Sequence, residues 1–460
     1  MLKRTGPRPL RAALVAAVAV AVAAGGTLAL STAPAAAAPA KFADDFNGDG
    51  FRDYAAPGWG EFTVTYGTAT GPGTVKKRFT QNSAGVPGTA GDAGGYADGF
   101  GEDLVAADLN RDGYADLAVA DRSEKVGTRA GAGAVTIMWG ARSGLGTKAT
   151  RLRATAVSDA GFGNELETGD FNGDGRPDLA VADGIDTISV YRGGFSTTGT
   201  TGPVTRHRPD ITVTFEATGL VAGRVNKDSA TDLYVLGQGY RNNRMTQDAW
   251  FLAGGSTVKR GRITTVNGSL PDYDPTGVIA DFDRNGYGDL AVSDTRYGNG
   301  AGSVLVVRGT SAGPGTTYRL AQSTAGVATV AGANEGFGDD LSAGDTNRDG
   351  YPDLAVSVPE EKVGSAAQAG GLHILRGGRQ GLTGTGSQWI TRATAGVPGN
   401  LTAYERFGFH VRLRDLDRDG DADLFTGPAD APTSLLLKAS AQGVSGTSTQ
   451  TLPVAATFPQ

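Results

Sequence analysis

An all-β fold, a seven-bladed β-propeller, is predicted by three features of this sequence. One motif, Asp-x-Asn/Asp-x-Asp/Asn-Gly-x-x-Asp, recurs along the chain. Its seven copies, one of them degenerate, start 63, 62, 54, 57, 64 and 70 residues apart, so units of similar size fill the chain after its first forty residues. Glycine is abundant, at 72 of 460 residues, which favours short strands joined by tight turns over helices.

The units share one internal pattern, which predicts four strands, A to D, in each. A short apolar strand follows the motif, as at residues 117–120, and leads into a polar, glycine-rich connection, as at 122–131. An alternating strand comes next, as at 134–139, and a glycine-containing turn and a weaker strand complete the unit. Four strands per unit is the pattern of a propeller blade. The expected blades are approximately residues 41–97, 98–160, 161–212, 213–272, 273–334, 335–404 and 405–460.

Residues 1–40 have the layout of a secretory signal peptide. Four basic residues precede a small apolar run at 12–30, and a small-residue cleavage region follows at 36–40. A membrane anchor is the alternative, because the run is long enough to span a bilayer, but the run is rich in Ala and Gly rather than Leu. We therefore expect cleavage, and a secreted, extracellular protein with no transmembrane segment in the mature chain.

Charge and cysteine content exclude several classes of function. The chain has 42 basic and 48 acidic residues, and without the leader, which carries four basic and no acidic ones, the formal net charge is −10. That balance argues against a nucleic-acid partner. Cysteine is absent, which excludes disulfides, thiolate metal sites and cysteine nucleophiles. We expect the mature protein to be a monomer.

The motif offers only oxygen ligands for a cation. Side-chain oxygens stand at positions 1, 3, 5 and 9, the residue at position 7 can add its backbone carbonyl, and glycine at position 6 permits a sharp turn. Flexible all-oxygen coordination by one loop fits Ca²⁺ better than Mg²⁺, and nothing here suits Zn²⁺. An EF-hand is excluded because position 12 is valine in four copies rather than glutamate. The predicted calcium ligands are Asp45, Asn47, Asp49, Phe51, Asp53, Asp108, Asn110, Asp112, Tyr114, Asp116, Asp170, Asn172, Asp174, Arg176, Asp178, Asp281, Asp283, Asn285, Tyr287, Asp289, Asp345, Asn347, Asp349, Tyr351, Asp353, Asp415, Asp417, Asp419, Asp421 and Asp423.

The alternative is a set of Asp/Asn/Gly turns that bind no metal. A bare turn does not need carboxylates at positions 1, 5 and 9 together, and clustering them without a cation costs repulsion. Blade 4 is different, because Arg224 replaces the first carboxylate and Ser229 replaces the glycine. We predict about six calcium sites and none in blade 4, where we expect the Arg224 guanidinium to face Asp228 and Asp232 in place of the ion.

The sequence resembles the FG-GAP repeats of the integrin α-subunit β-propeller and its bacterial relatives. Phe-Gly pairs precede four of the loops, at Phe100, Phe162, Phe337 and Phe407. Gly-Ala-Gly triplets at 131–133 and 300–302 resemble the Gly-Ala part of the repeat. The resemblance covers residues 41–460, although repeats 1, 4 and 5 lack the Phe-Gly pair. No leg domain or C-terminal membrane helix is visible, so an integrin-type membrane heterodimer is not implied.

Strand order predicts where a partner would bind. In an up-and-down blade the A–B and C–D turns lie on one face, and the B–C and D–A connections lie on the other. The motifs are A–B turns, so the varied B–C connections share the opposite face, where integrin propellers recognise their partners. Candidate ligand-contacting residues there are Trp59, Arg122, Lys125, Arg296 and Tyr297. The alternative is that these connections are merely solvated.

No convincing catalytic constellation is visible, and we predict no catalytic residues. Residues 309–313 match a nucleophile-elbow pattern around Ser311, but other repeats have a glycine-containing C–D turn without a central serine at this place. His410 and His373 are expected in the first strand of blade 7 and the third strand of blade 6. His207 is expected in a solvated connection.

The expected function is binding, as an extracellular calcium-loaded adhesion or recognition module for a glycan or a protein. Two alternatives stay open. FG-GAP-like repeats also accompany phosphodiesterase domains, so a secreted phosphodiesterase-like hydrolase is one, although the repeats leave no room for a catalytic domain. A purely structural envelope scaffold is the other.

Overall fold

The repeats fold into antiparallel sheets that follow one another along the chain. The computed structural model describes residues 38–91, 99–146, 148–152, 161–210, 214–241, 243–269, 275–429, 431, 433–455 and 457–458. The expected signal peptide lies outside the described residues up to residue 37, so its cleavage stays a prediction. Residues 37–460 form one compact unit, and its described part contains seven sheets.

Six of these sheets have four strands and the first has three, with neighbouring strands in chain order throughout. The strands of blades 1 to 3 are β1 (Tyr54–Pro57), β2 (Glu61–Thr68), β3 (Gly71–Thr80), β4 (Leu104–Ala107), β5 (Asp116–Asp121), β6 (Ala134–Met138), β7 (Ala149–Arg151), β8 (Phe162–Gly169), β9 (Asp178–Asp183), β10 (Thr187–Tyr191) and β11 (Val204–His207). Those of blades 4 and 5 are β12 (Thr214–Gly223), β13 (Asp232–Arg241), β14 (Arg244–Ala253), β15 (Lys259–Asn267), β16 (Gly277–Ala280), β17 (Asp289–Asp294), β18 (Ser303–Thr310) and β19 (Gly313–Leu320). Those of blades 6 and 7 are β20 (Leu341–Gly344), β21 (Asp353–Val358), β22 (Gly371–Arg376), β23 (Thr383–Ile390), β24 (His410–Arg414), β25 (Asp423–Gly427), β26 (Ser434–Leu437) and β27 (Thr449–Leu452).

Helix is confined, within the described residues, to one short turn, α1 (Tyr297–Gly300), between β17 and β18. No helix in this part of the chain is long and apolar enough to cross a membrane. Each four-stranded sheet is an up-and-down meander, so the predicted strand order is confirmed in six blades.

Blade 1 departs from the expected four strands because its strand A does not form. In blade 2, strand A (β4) ends directly before Asp108, the first residue of the motif. The counterpart in blade 1, residues 41–44, is not a strand and keeps one ladder-like hydrogen bond, from Asp53 N–H to the Asp44 carbonyl at 2.9 Å. A cavity of about 300 Å³ lies beside β1, with Glu167 of blade 3 and Arg412 of blade 7 among its lining residues.

The hydrophobic cores lie between consecutive blades. The core shared by blades 2 and 3, for example, contains Val135 and Trp139 from one blade and Leu179 and Tyr191 from the next. Equivalent clusters join every further pair along the chain. Each blade is thus stabilised by burying apolar surface against both neighbours.

Blade 7 packs against blade 1 and closes the ring. Tyr54 of β1 lies edge-on to Phe458 near the C-terminus, with ring centroids 5.1 Å apart, and tilted against Phe425 of β25 at 6.1 Å. Arg414 of β24 pairs with Asp44 of blade 1 at 3.0 Å. The seven sheets form a propeller, and the predicted fold class is confirmed.

The Phe-Gly pairs explain how one blade docks on the one before it. All four phenylalanines are buried in cores between blades, namely Phe100, Phe162, Phe337 and Phe407. The glycine after each has a positive φ, between 82° and 104°. A Cβ at Gly101 would lie 2.5 Å from the carbonyl oxygen of Glu61 in the preceding blade. Glycine is required there for both its φ and its small size.

Candidate metal centre

Each motif forms a compact turn directly before strand B that is closed by its own side chains. In blade 2, Asp108 at position 1 accepts hydrogen bonds from the backbone N–H groups of Asp112 (3.0 Å) and Gly113 (3.1 Å). Asn110 accepts from Asp112 N–H at 2.9 Å, and Asp112 accepts from Tyr114 N–H at 3.1 Å. The position-1 carboxylates of blades 1, 3 and 5 receive the same pair. Backbone N–H groups therefore fix the orientation of the predicted ligand side chains.

The aspartate at position 9 ties this loop to strand C of the same blade. Asp116 accepts hydrogen bonds from the N–H groups of Leu109 at 3.0 Å and of Gly140, just beyond β6, at 2.9 Å. Every blade repeats the second bond, with glycine as donor in six blades and Ala439 in the seventh. A Cβ at Gly140 would lie 2.0 Å from the Ala115 carbonyl oxygen. Sequence reasoning missed this anchor, whose signal is a glycine near the end of strand C in six of the seven blades.

Burial raises the pKa of these position-9 carboxyl groups. Burial, with smaller contributions from the other carboxylates of the loop, raises the pKa of Asp116 to about 8. Burial is also the main cause in blades 1, 3, 5 and 7, where the pKa is raised to about 7 at Asp53 and to about 6 at Asp178, Asp289 and Asp423. A cation beside such a group would lower its pKa, because it stabilises the ionised form.

Two position-9 carboxylates also keep one buried oxygen without a hydrogen-bond partner in the described structure. These oxygens are Oδ2 of Asp289 and Oδ2 of Asp423. In blade 7, one oxygen each of Asp415, Asp417 and Asp419 lie within 4.8 Å of one another. Buried carboxylate oxygens are normally paired. The donor set therefore fits a hard cation such as Ca²⁺, which takes six to eight oxygen ligands.

Position 4 has a left-handed backbone in all six loops for which a metal is predicted. Non-glycine residues adopt this conformation at a cost of about 1–2 kcal/mol. Four loops nevertheless have arginine there, with φ between 54° and 62°, and two have glycine, namely Arg111, Arg284, Arg348, Arg418, Gly48 and Gly173. Sequence reasoning missed this feature, because arginine gives no signal for positive φ.

Blade 4 keeps the anchor to strand C but has a different loop. Asp232 accepts hydrogen bonds from the N–H groups of position 2 and of the residue after strand C, at 3.0 and 2.9 Å. Lys227 and Ser229, at positions 4 and 6, are not left-handed. The expected contact of Arg224 is wrong, since no ion pair within 4 Å joins it to Asp228 or Asp232 in the described structure. Backbone N–H groups and the side-chain amide of Asn226 donate hydrogen bonds to the Asp232 carboxylate instead.

Similarity to known proteins lies in the repeats. A family model of the FG-GAP-like repeat matches residues 108–181 and 170–235, and a model of the FG-GAP repeat matches residues 337–375. Integrin alpha-6 of Gallus gallus is 40% identical over 109 residues, which is 22% of this chain and 10% of that protein. The chain is a β-propeller that contains FG-GAP-type repeats at residues 108–235 and 337–375.

The same propeller is similar to phosphatidylinositol-glycan-specific phospholipase D of Rattus norvegicus, with 30% identity over 158 residues. That match covers 33% of this chain and 18% of the phospholipase. The FG-GAP propeller thus spans less than a fifth of the length of either relative. The solved Dos1 propeller aligns over 87% of this chain and 84% of its own, at 12% identity and a TM-score of 0.43.

The face of the FG-GAP propeller opposite the loops carries the B–C connections. Trp59 lies between β1 and β2 and is 61% exposed. Arg122 and Lys125 follow β5, and the Arg122 guanidinium pairs with Glu102 of its own blade at 2.9 Å. Arg122 is thus held against the blade.

The remaining predicted contact residues lie in the B–C connection of blade 5. Arg296 directly precedes α1, and Tyr297 is its first residue. The guanidinium of Arg319, on β19, lies over the Tyr297 ring, 4.6 Å from its centroid. The five predicted residues therefore share one face but are distributed over blades 1, 2 and 5.

Exposed large apolar side chains concentrate on this same face. Nine are exposed among the described residues, and eight of them lie in, or directly beside, a B–C or D–A connection. These eight are Trp59, Val126, Ile185, Tyr240, Met245, Tyr297, Val330 and Tyr404. The ninth, Val75, lies on β3, the outer strand of blade 1. Sequence reasoning had named only two of the eight.

The serine and the three histidines considered as possible catalytic groups lie in four different blades. Ser311 lies in the two-residue turn between β18 and β19, as expected. His373 lies in β22 with its ring centroid 4.5 Å from that of Trp389, and burial lowers its pKa to about 4. His410 begins β24, as expected. His207 ends β11 and is buried, so the expectation of a solvated side chain is wrong, and burial lowers its pKa.

Proposed function

We propose that this FG-GAP propeller binds calcium in six A–B loops and recognises an extracellular glycan or protein with its opposite face. In blade 2 the ion would be held by the side chains of Asp108, Asn110, Asp112 and Asp116 and by the backbone carbonyl of Tyr114. The equivalent residues would hold it in blades 1, 3, 5, 6 and 7. The buried carboxylate oxygens without partners in blades 5 and 7 support this assignment.

Calcium supplies positive charge at the point where each loop meets the interior of its blade. The position-9 aspartate already bonds to the N–H group after strand C, as Asp116 does to Gly140. An ion held by positions 1, 3, 5 and 9 would join the A–B turn to strand C through this one side chain. The loops would then stiffen the blades, and the partner would meet the other face.

One observation carries the recognition half of the proposal, namely the concentration of exposed apolar side chains on the face away from the loops. Soluble proteins expose large apolar groups singly, and their concentration on one surface marks an interaction site. Trp59 and Ile185, in the B–C connections of blades 1 and 3, are 61% and 66% exposed. Aromatic and aliphatic side chains in such loops suit both sugar rings and protein surfaces.

An extracellular adhesion role is supported by similarity to the integrin alpha-6 repeats and by the signal-peptide pattern at residues 1–40. Adhesion propellers present rigid loops from a fixed scaffold. The FG-GAP propeller provides such a scaffold through its closed ring and interblade cores.

The test is binding to a glycan array and to immobilised extracellular proteins in the presence of calcium. Trp59→Ala and Ile185→Ala are expected to weaken capture at least fivefold without changing the melting temperature. Val75→Ala is the matched control, because Val75 is 64% exposed but lies on an outer strand away from this face. An equal loss in Val75→Ala, or no capture of either class of partner by the wild type, contradicts the recognition proposal.

A secreted phosphodiesterase-like hydrolase is the second candidate, favoured by the similarity to phosphatidylinositol-glycan-specific phospholipase D. That similarity lies in a part of the relative that covers 18% of its length. Incubation with a glycosylphosphatidylinositol-anchored substrate decides between the candidates. Release of the anchored protein by the wild type supports the hydrolase, and no release favours binding.

A further inference from the structure

Neighbouring metal loops touch each other through the arginine at position 4. In blade 5, Arg284 lies 5.6 Å from the ring centroid of Tyr351, which occupies position 7 of the blade-6 loop. In blade 6, Arg348 pairs with Asp421, at position 7 of the blade-7 loop, at 2.8 Å, and also with Asp419 at position 5. Both contacts run from one loop to the next blade in chain order.

A contact from position 4 also joins blade 7 to blade 1, where the ring closes. Arg418, at position 4 of the blade-7 loop, donates a hydrogen bond to the carbonyl oxygen of Gly50 in the blade-1 loop at 2.8 Å. Its guanidinium lies 5.6 Å from the ring centroid of Phe51, at position 7 of that loop. At three consecutive junctions, from blade 5 through blades 6 and 7 to blade 1, the arginine at position 4 therefore contacts the residue at position 7 of the next loop, by an ion pair or a cation–ring contact.

These contacts join two parts of the loop that bear on metal binding. Position 4 is the strained, left-handed residue of the closed loop, with φ of 54°, 60° and 62° at Arg284, Arg348 and Arg418. Position 7 is the residue whose backbone carbonyl is the predicted calcium ligand. When one loop closes, its position-4 arginine is thus placed against the segment of the next loop that carries the predicted backbone ligand.

The junction between blades 2 and 3 has no such contact. Arg111, at position 4 of the blade-2 loop, is left-handed like the others, but position 7 of the next loop is Arg176, which has a charge of the same sign and offers neither a ring nor an acceptor side chain. A backbone bond supports four other junctions, as from Ala115 N–H to the Asp45 carbonyl at 2.9 Å, but Pro177 in blade 3 and Pro352 in blade 6 stand at the donor position and have no N–H. The junction between blades 5 and 6 still has the contact of Arg284 with Tyr351, whereas the junction between blades 2 and 3 has neither. In the described structure no hydrogen bond, ion pair or cation–ring contact joins residues 108–116 to 170–178.

We propose that the calcium sites of blades 5, 6, 7 and 1 bind with positive cooperativity as one unit, coupled by Arg284, Arg348 and Arg418. The proposal rests on the proposed calcium function of these loops. The first ion orders its own loop and fixes its arginine against the next loop, so the next ion binds a segment that is already ordered. The sites of blades 2 and 3 are not coupled to each other.

Terbium binding at the blade-6 loop tests the coupling, because Tyr351 at position 7 can sensitise Tb³⁺ luminescence. Tyr287→Phe and Tyr114→Phe first remove the other tyrosines at this position, so that the signal reports blade 6. In this background Asp281→Ala disables the blade-5 site and is expected to weaken Tb³⁺ binding at blade 6 about fivefold or more. With Arg284→Met also present, Asp281→Ala should have no further effect.

Arg111→Met is the matched control, since it removes the same residue at the same loop position where no interloop contact exists. It should leave Tb³⁺ affinity at blade 6 unchanged, while Arg284→Met alone should lower it. If Asp281→Ala does not fold, this pair of variants decides the question. Equal effects of Arg284→Met and Arg111→Met, or a blade-6 affinity indifferent to Asp281→Ala, overturn the coupling. Absence of any Tb³⁺ or Ca²⁺ binding would instead overturn the calcium function itself.

Discussion

The variant Asp116→Asn removes the charge of a predicted position-9 ligand while keeping a side chain of the same shape. It therefore separates the effect of this charge on stability from the effect of the hydrogen bonds that the side chain accepts. Burial raises the pKa of Asp116 from 3.8 to about 8, so keeping this group in the folded protein at pH 7 without a cation costs about 4 kcal/mol relative to the unfolded chain. Asparagine removes that cost. Its amide nitrogen cannot accept the hydrogen bond from Leu109 N–H, which costs about 1–3 kcal/mol. In chelator the variant should therefore be at least as stable as the wild type.

In excess calcium the expected order is reversed, because the ion compensates the carboxylate and asparagine is a weaker ligand. The assay is urea unfolding at pH 7 in calcium and in chelator, followed by tryptophan fluorescence. Asp232→Asn in blade 4 is the control, since Asp232 makes the same anchoring bonds in a loop predicted to bind no metal. Its effect should be equal in both conditions. A loss of stability for Asp116→Asn that is the same with and without calcium would refute the reasoning.

Three further predictions follow from the same geometry. The stability that Asp53 and Asp116 contribute through their raised pKa is present below about pH 4 and is lost as pH rises through 7 to 8, so the calcium-induced rise in melting temperature should grow from pH 5 to pH 8. Burial lowers the pKa of His373 to about 4, so the stability that this buried neutral ring contributes is present above pH 6.5 and is lost on acidification. The wild type should therefore lose unfolding free energy between pH 6.5 and 5, and His373→Phe should reduce that loss by up to about 2 kcal/mol. Gly309→Ala should lower the free energy of unfolding in urea by about 1–3 kcal/mol, because the added Cβ would lie 2.2 Å from the backbone carbonyl oxygen of Gly288. Gly378→Ala is the control and should be nearly neutral, because a Cβ there would have no atom within 4 Å.

The recurring motif made most of the fold predictable, because each copy marks the same A–B turn and the spacing counts the blades. Blade 1 shows where this reasoning fails. Residues 41–44 precede Asp45 as a strand A would, yet they do not pair as a strand. Closure of the ring depends on Tyr54 meeting Phe425 and Phe458 from the far end of the chain, and such long-range packing leaves no local pattern.

The candidate ligand residues of each loop could be predicted from sequence, but the backbone conformation of the loops and their contacts with other segments could not. The predicted ligand positions depend only on residue type and spacing, so the oxygen-rich loops could be named from sequence. The left-handed Arg284 could not be predicted, because arginine gives no signal for positive φ. The anchor at Gly140 could not be predicted either, because it joins two segments 24 residues apart in the chain. Most of the exposed apolar face was missed for a related reason, since Ile185 and Val330 are ordinary residues until the connections are placed on one side.

Calcium stoichiometry measured together with thermal stability tests the central claim most directly. The metal-free protein, titrated with Ca²⁺ by isothermal calorimetry, is expected to bind about six ions per chain. Because each site stabilises the folded state by RT ln(1 + [L]/Kd), which is about 2.7 kcal/mol at one hundred times Kd, chelation should lower the melting temperature by many degrees. A protein that binds no calcium, or whose melting temperature is the same in calcium and in chelator, would contradict the account.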